Sequence, residues 1–319
     1  MKLVFCGTPQ FAVPSLDAVL EAGHEIALVV SQPDRPVGRK QELTAPPVKQ
    51  AALAAGIPVT QPEKIRNNVE FRAQLEAIAP DAIIVVAYGR IIPAWMLTLP
   101  RFGCINLHGS LLPKFRGAAP IQWAVAMGDT ITGNTTMLLE EGLDTGPMLL
   151  QQSVPIAPDQ TAANLFEVLA EAGAPLLVQT LAGLEDGSVR PQAQDHSQAT
   201  LAPILTREDG RMDFSRTAPD LLNRWRGFQP WPGAFTEYEG KKLIIHRMQV
   251  ADVGSFVLPA AAEPGSVHIE DHRLFAACAA GSWLELLEVQ LEGKKRITVA
   301  DFLRGATLAA SARLGAPAQ

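Results

Sequence analysis

The stretch DAIIVVAYG, residues 81–89, decides the fold. Ala82 to Val86 are apolar without interruption, and four of the five are Ile or Val. Such a run, lacking polar alternation, predicts a strand buried on both faces. Upstream, KLVFCG (2–7) and HEIALVVS (24–31) read as further strands, and FAVPSLDAVLEAG (11–23) and VKQAALAAG (48–56) as helices ended by Gly23 and Gly56. Downstream, GCINLHGS (103–110) reads as another strand, followed by a helix from Ala118 to Met127. Alternating strands and helices around continuously apolar strands predict an α/β unit with a parallel sheet covered on both faces. Ligands bind such sheets outside the carboxyl ends of the strands, which points to the residues after Cys6, Val86 and Leu107.

The second half reads differently. LEDGSVRPQAQDHSQAT (184–200) has almost no large apolar residue and reads as an exposed linker. TAPDLLNRWRGF (217–228) predicts a short helix. KKLIIHRMQV (241–250), GSVHIE (265–270), RLFAACA (273–279) and SWLELLEVQ (282–290) predict short strands between Gly, Pro and Asp turns. That spacing, without long helices, predicts a small all-β barrel or sandwich.

Composition narrows the class. The chain has 319 residues, 47% of them hydrophobic and 19% charged, which is globular and excludes wholesale disorder. No apolar run in the sequence reaches the roughly 18–20 residues of a membrane span, so no membrane partner is expected. The N-terminus opens directly as a strand, with no basic leader, and a cytoplasmic setting is expected. Cys6, Cys104 and Cys278 are odd in number and widely spaced. They form neither a disulfide framework nor a metal pair, and Cys6 and Cys104 read as buried thiols. The net charge of −6 falls on residues 1–205, while residues 206–319 are balanced. That excludes a wholesale nucleic-acid coat but not a local basic face.

Three segments carry candidate chemistry. GTPQFA (7–12) is a strand-to-helix turn that lacks both the GxGxxG and the GxxxxGK[ST] pattern. In INLHGSLLPKFRGAAPI (105–121), Asn106 and His108 are two apart and so share a strand face. In LLEEGLDTGPML (138–149), Asp144 sits in a turn between Gly142 and Gly146. A single Asp-Thr-Gly cannot make the carboxylate pair of an aspartic protease, and as a plain turn it would bond its own backbone. An amide, an imidazole and a carboxylate together suit acyl transfer to an amine. The first two can donate to an oxyanion, and the carboxylate can hold the imidazole. No Ser or Cys stands ready as nucleophile, so direct attack by the acceptor amine is expected. No metal is required, and no Cys/His spacing offers a site for one.

At these residues the chain resembles the folate-dependent formyltransferases. Asn106-Leu107-His108, the Ser110-Leu111-Leu112-Pro113 tetrapeptide and Asp144 in GLDTG follow that family's order and spacing. FCGTPQFA (5–12), SQPDRPVGR (31–39), VVAYGRIIP (85–93) and FQPWPGA (228–234) extend the resemblance from residue 1 to about residue 310, towards the branch that acts on methionine carried by initiator tRNA. The resemblance implies a Rossmann-like formyltransferase domain over residues 1–189, a linker over 190–206 and a smaller OB-like β-barrel, the tRNA-binding domain, over 207–319. It implies 10-formyltetrahydrofolate as formyl donor, no metal, initiator Met-tRNA as partner, and a monomer. By the same resemblance, Asn106 and His108 would stabilise the oxyanion and Asp144 would orient His108. Ser110, Leu111, Leu112 and Pro113, with the backbone of Val86, Ala87, Tyr88, Gly89 and the 140–144 turn, would hold the folate. Residues 33–49 would be an insertion loop reaching the tRNA acceptor stem through Arg39 and Lys40.

Two departures stand out. Where the family commonly runs Gly-Arg-Gly-Lys-Lys-Leu, this chain runs Gly38-Arg39-Lys40-Gln41-Glu42-Leu43, with less attraction for phosphate. Where the family often has a lysine after Ala-Pro, Ile204 follows Ala202-Pro203. The open alternatives are a related formyltransferase acting on a sugar nucleotide, and a catalytically silent RNA-binding module. Trp225, Phe228 and Trp231 with Arg224 and Arg226 read as packing or as an aromatic–basic nucleic-acid surface. Lys294–Arg296 reads as a basic surface cluster.

Overall fold

In the computed structural model, which describes residues 1–38, 41–252, 256, 258–259, 262–305 and 312–315, the chain divides into two units. The first comprises Met1–Ile121, Ile131–Ile156 and Asn164–Pro203; the second comprises Gln122–Thr130, Ala157–Ala163 and residues 204–319.

The first unit is built on strands β1 (Lys2–Gly7), β2 (Glu25–Val30), β5 (Val59–Thr60), β6 (Ala82–Val86), β7 (Cys104–His108), β8 (Ile131–Leu138) and β9 (Met148–Pro155), with the small hairpin β3 (Arg35–Val37) and β4 (Glu42–Thr44) between β2 and β5 in sequence. Their order across the sheet is β5-β2-β1-β6-β7-β8-β9. The helices are α1 (Val13–Glu21), α2 (Pro47–Ala54), α3 (Val69–Ile78), α4 (Ala94–Leu97), α5 (Pro120–Ala126), which runs into the second unit, and α6 (Ala162–Asp186), which begins in it. β6 is buried along its whole length, as its unbroken apolar run predicts. Each fully buried Ile or Val contributes about 1.5–3 kcal/mol. The sheet is parallel from β5 to β7, the core that the sequence predicts, and gains two antiparallel strands at β8 and β9. The reason lies in β9, an edge strand whose Gln151–Ser153 are exposed; a half-solvated antiparallel edge tolerates the polar residues that a strand covered on both faces does not. The chain passes from β1 to β2 on one side and returns to β6 on the other, so the crevice between the ends of β1 and β6 is a topological switch point.

α6 bears on two expectations. It has the length and apolar composition of a membrane span, although the sequence shows no long unbroken apolar run. Half of its most apolar window is buried inside the fold. It packs closely on β7 at Gly173, where a Cβ would stand 2.7 Å from Leu107, and Thr180 shares a 2.8 Å hydrogen bond with Thr136 of β8. It also extends to Asp186, into the stretch read as an exposed linker. The rest of that stretch lies along the first unit, as described below.

The second unit carries α7 (Ala218–Gly227), strands β10 (Phe235–Tyr238), β11 (Lys241–Val250), β12 (Val267–Glu270), β13 (Arg273–Ala277), β14 (Trp283–Leu291) and β15 (Ile297–Thr298), and α8 (Val299–Gly305). The antiparallel order is β10-β11-β14-β13-β12, with β15 on β14. Residues 312–315 join its two edges. Val267 donates to the Ala312 carbonyl and Leu314 to that of Gly265, while Gly315 donates to Glu237 beside β10. Alternate residues such as Leu243, Ile245, Leu274, Leu284 and Leu286 fill the interior. The sheet is a small β-barrel, as the strand spacing predicts.

Candidate active site

Asn106 and His108 lie at the carboxyl end of β7, between Val85 of β6 and Thr135 of β8. His108 is buried, and its Nε2 is 2.9 Å from the carbonyl of Phe115, to which it donates. Phe115 accepts this role in a left-handed conformation, φ 59°, and its own N–H donates to Thr200 Oγ1 at 2.8 Å. The imidazole is thus oriented by a backbone carbonyl seven residues on.

Asp144 lies in the turn between β8 and β9, also left-handed, φ 49°. Asp tolerates this region better than most residues. Its Oδ2 accepts from the Gly117 N–H at 2.8 Å and lies 3.8 Å from His108 Nδ1. That gap is too long for a direct hydrogen bond. The turn needs Gly146, because a Cβ there would overlap the carbonyl oxygen of Leu138. The arrangement therefore brings a ring nitrogen and a carboxylate together at the end of β7, with Asn106 two residues before the imidazole on the same strand face.

Residues 110–113 are held from below. Thr135 Oγ1 donates to the Ser110 carbonyl at 2.6 Å and accepts from the Leu112 N–H at 3.1 Å. Gln151 Nε2 donates to the Leu112 carbonyl at 2.9 Å. Ser110 is fully buried and its hydroxyl donates to the Lys114 carbonyl, so it shapes the loop. Leu112 is buried, while Leu111 and Pro113 are half-buried and offer apolar surface. Val86, the last residue of β6, is buried; after it Ala87 is exposed at φ 45°, and Gly89 follows at φ 79°. The Tyr88 side chain is turned into the core, where burial pushes its hydroxyl pKa up. Its carbonyl accepts from Thr8 Oγ1 and Gln32 Nε2. The exposed backbone of Ala87 and Gly89 is what this turn offers a flat ligand.

Other sequence candidates are more dispersed. Arg39 and Lys40 lie outside the described residues. Within 33–49, Arg35–Val37 pairs antiparallel with Glu42–Thr44, and Lys49 pairs with Asp34 and Gln61. Arg224 lies over Phe228 and Trp123, and the buried Arg226 donates to the carbonyls of Ala157 and Gln160. Both arginines of that aromatic–basic cluster serve packing. Arg296 pairs with Glu288. All three cysteines are free and buried, and burial pushes the Cys104 thiol up to about 12. Among the described residues no group of three His, Cys, Asp or Glu could hold a metal ion.

Sequence reading missed Arg116, Thr135, Gln151, Gln194 and Thr200. Their polar atoms serve neighbours distant in sequence, and nothing in their local pattern marks them.

The comparisons agree along the chain. A family model described as formyl transferase matches residues 1–181, and one described as formyl transferase, C-terminal domain, matches residues 204–307. The methionyl-tRNA formyltransferase of Acidobacterium capsulatum is 69% identical over 316 residues, covering 99% of this chain and all of that protein. That of Koribacter versatilis is 59% identical, covering 96% of each. Among solved structures, an N-formyltransferase from Helicobacter canadensis, in complex with folinic acid and dTDP-3-aminofucose, has a TM-score of 0.64 at 17% identity. It covers 90% of this chain and 98% of its own, and at that identity it speaks for the fold alone. With both domains matched and relatives of this identity over their whole length, the chain belongs to the formyl transferase family, among the methionyl-tRNA formyltransferases.

Proposed function

We propose that this protein transfers the formyl group of 10-formyltetrahydrofolate to the α-amine of methionine on initiator tRNA, supporting translation initiation. One observation carries the reading: Asn106, His108 and Asp144 gather at the carboxyl end of β7, with His108 Nδ1 3.8 Å from Asp144 Oδ2, in a chain 69% identical to a methionyl-tRNA formyltransferase. The exposed Ala87 and Gly89 and the half-buried Leu111 and Pro113 suit a flat pterin.

In this reading the acceptor nitrogen forms a bond to the formyl carbon, and the carbonyl electron pair moves onto oxygen. Asn106 donates to that oxyanion, and His108 does so through Nδ1, the nitrogen that Phe115 leaves free. Asp144 steadies His108 and helps take the proton that the amine loses. The intermediate collapses by breaking the carbon–nitrogen bond to the folate, whose N10 keeps the electron pair and gains a proton. The products are a formamide and tetrahydrofolate. No side chain is acylated. Arg39 and Lys40 contact the acceptor stem, residues 1–189 carry the chemistry, and the barrel domain over 207–319, joined through 190–206, helps hold the tRNA. The protein works as a monomer in the cytoplasm, without a metal or a membrane.

A formyl-transfer assay with 10-formyltetrahydrofolate tests this. Met-tRNA initiator, Met-tRNA elongator and an amino-sugar nucleotide are offered separately at two salt concentrations. Formylation of the initiator alone, weakening at higher salt, is expected. Formylation of the sugar amine alone would replace the acceptor and leave the donor chemistry standing.

A further inference from the structure

The segment composition marks as a linker carries a built polar structure. Gln194 is 6% exposed, in a stretch otherwise mostly at the surface. Its Nε2 donates to two carbonyls of the catalytic turn, those of Asp144 at 2.8 Å and Gly146 at 2.7 Å. Its Oε1 accepts from Arg116 Nε at 3.0 Å and Nη2 at 2.6 Å. The orientation of the amide is forced, because a carbonyl cannot donate and a guanidinium cannot accept. Arg116, also 6% exposed, is next to Phe115, whose carbonyl orients His108.

The backbone around Gln194 follows the same line. Gln192 and Met148 exchange two 2.8 Å hydrogen bonds. Arg116 donates to the Thr200 carbonyl at 2.8 Å, and Ala202 donates back to Arg116 at 2.7 Å. Gly117, whose N–H serves Asp144, has no room for a side chain: a Cβ would stand 2.6 Å from the Ala202 carbonyl oxygen.

We infer that Gln194 is a positioning residue. Within residues 192–202, which form a strap, its amide ties the Asp144 turn to the Phe115–Gly117 segment and so sets the distance between Asp144 and His108. The inference rests on the catalytic reading above and adds a residue to it. Two left-handed residues, Asp144 and Phe115, each tied to the other segment only through hydrogen bonds, need such an external brace. Gln fits the position by chemistry: a carboxylate would set oxygen against two carbonyls, and an apolar side chain would leave those carbonyls unpaired and Arg116 held by His196 without its glutamine partner.

The test is steady-state formyl transfer by the full chain carrying Gln194→Met, Gln194→Glu, Asp144→Asn, and Asp144→Asn combined with Gln194→Met. Thermal unfolding and tetrahydrofolate binding are measured on each variant. Gln194→Met is expected to lower kcat about 10- to 100-fold, as a misplacement on the ångström scale does, with KM for the formyl donor within about twofold. Gln194→Glu loses at least as much. In the Asp144→Asn background, Gln194→Met changes kcat by less than about twofold, because its effect passes through Asp144. A Gln194→Met protein with more than half of the wild-type kcat, or losses that multiply in the double variant, overturns the inference and leaves the catalytic reading intact. An Asp144→Asn protein with full kcat overturns both. Equal loss of tetrahydrofolate binding and kcat would mark Gln194 as merely structural and also overturn the inference.

Discussion

Two polar clusters in this chain, each holding a buried charged side chain, use similar groups and end differently. In the barrel, Glu285 is 3% exposed, and both its oxygens are engaged by the guanidinium of Arg273, with Gln249 Nε2 adding a 2.7 Å bond. Arg273 also lies over Phe256 and Phe275. Carboxylate, guanidinium and amide satisfy one another directly. In the α/β unit an acid, an arginine and a glutamine meet again, but Gln194 stands between Arg116 and the Asp144 turn. It takes the arginine's donors on its oxygen and gives its own hydrogens to backbone carbonyls. The Asp144 carboxylate is left facing His108 across 3.8 Å. An arginine bonded directly to a carboxylate neutralises it, whereas an amide relay holds the same groups in place and leaves the acid available for chemistry.

The widest separation between the two clusters should come from the reacting groups. His108→Ala or Asn106→Ala should lower kcat by about 10²- to 10⁴-fold while the unfolding temperature changes little, read by formyl transfer beside thermal unfolding. Comparable kcat in both variants and wild type would erase the distinction.

Next, Glu285→Ala should move stability and spare activity. It strands Arg273 among aromatic rings at a cost of about 1–3 kcal/mol, less than for a fully buried pair, because Arg273 keeps 37% of its side-chain surface in water. Thermal unfolding checks the cost, and kcat per folded molecule is expected to stay within about twofold.

A pH series refines the point. Burial pushes the Glu285 carboxyl up, but the hydrogen bonds from Arg273 and Gln249 outweigh it and hold it below the usual range. A depressed folded pKa contributes stability that is complete above the unfolded value of about 4.3 and is lost as pH falls through the folded one. The stability gap between wild type and Glu285→Gln should therefore narrow on acidification below about pH 4.3. A gap constant with pH would mean that the carboxylate charge contributes nothing.

The smallest effect belongs to the hairpin base. The hydrogen bond from Lys49, followed by that from Gln61, holds the Asp34 carboxyl below its usual range. The pair is partly exposed, so Asp34→Asn should raise KM for tRNA by no more than about fivefold and leave kcat unchanged. A loss of kcat would tie the hairpin base to the reacting centre.

The elements were legible where one physical signal dominated. The unbroken run Ala82–Val86 became a strand buried throughout, and the short strands of the second half became an antiparallel barrel. Asn106 and His108 could be placed on one strand face from a spacing of two. The long helix Ala162–Asp186 was missed, and so was the antiparallel turn of the sheet at β8 and β9, where Asn134-Thr135-Thr136 and Gln151-Gln152-Ser153 interrupt the apolar pattern of a strand. Gln194 illustrates the limit: next to Asp195 and His196, in a stretch poor in apolar residues, its composition says surface. Its burial comes from partners 48 to 78 residues away.

By itself the sequence determined the strand and helix alternation, the family resemblance and the chemical types at the reacting centre, because those follow from local pattern and side-chain identity. Only the tertiary structure decided that a backbone carbonyl orients His108, that Tyr88 faces the core, and that Gln194 bonds the Asp144 turn. The physical reason is that a hydrogen bond between distant segments forms only after the sheet has brought them within 3 Å, and composition holds no record of which groups will meet.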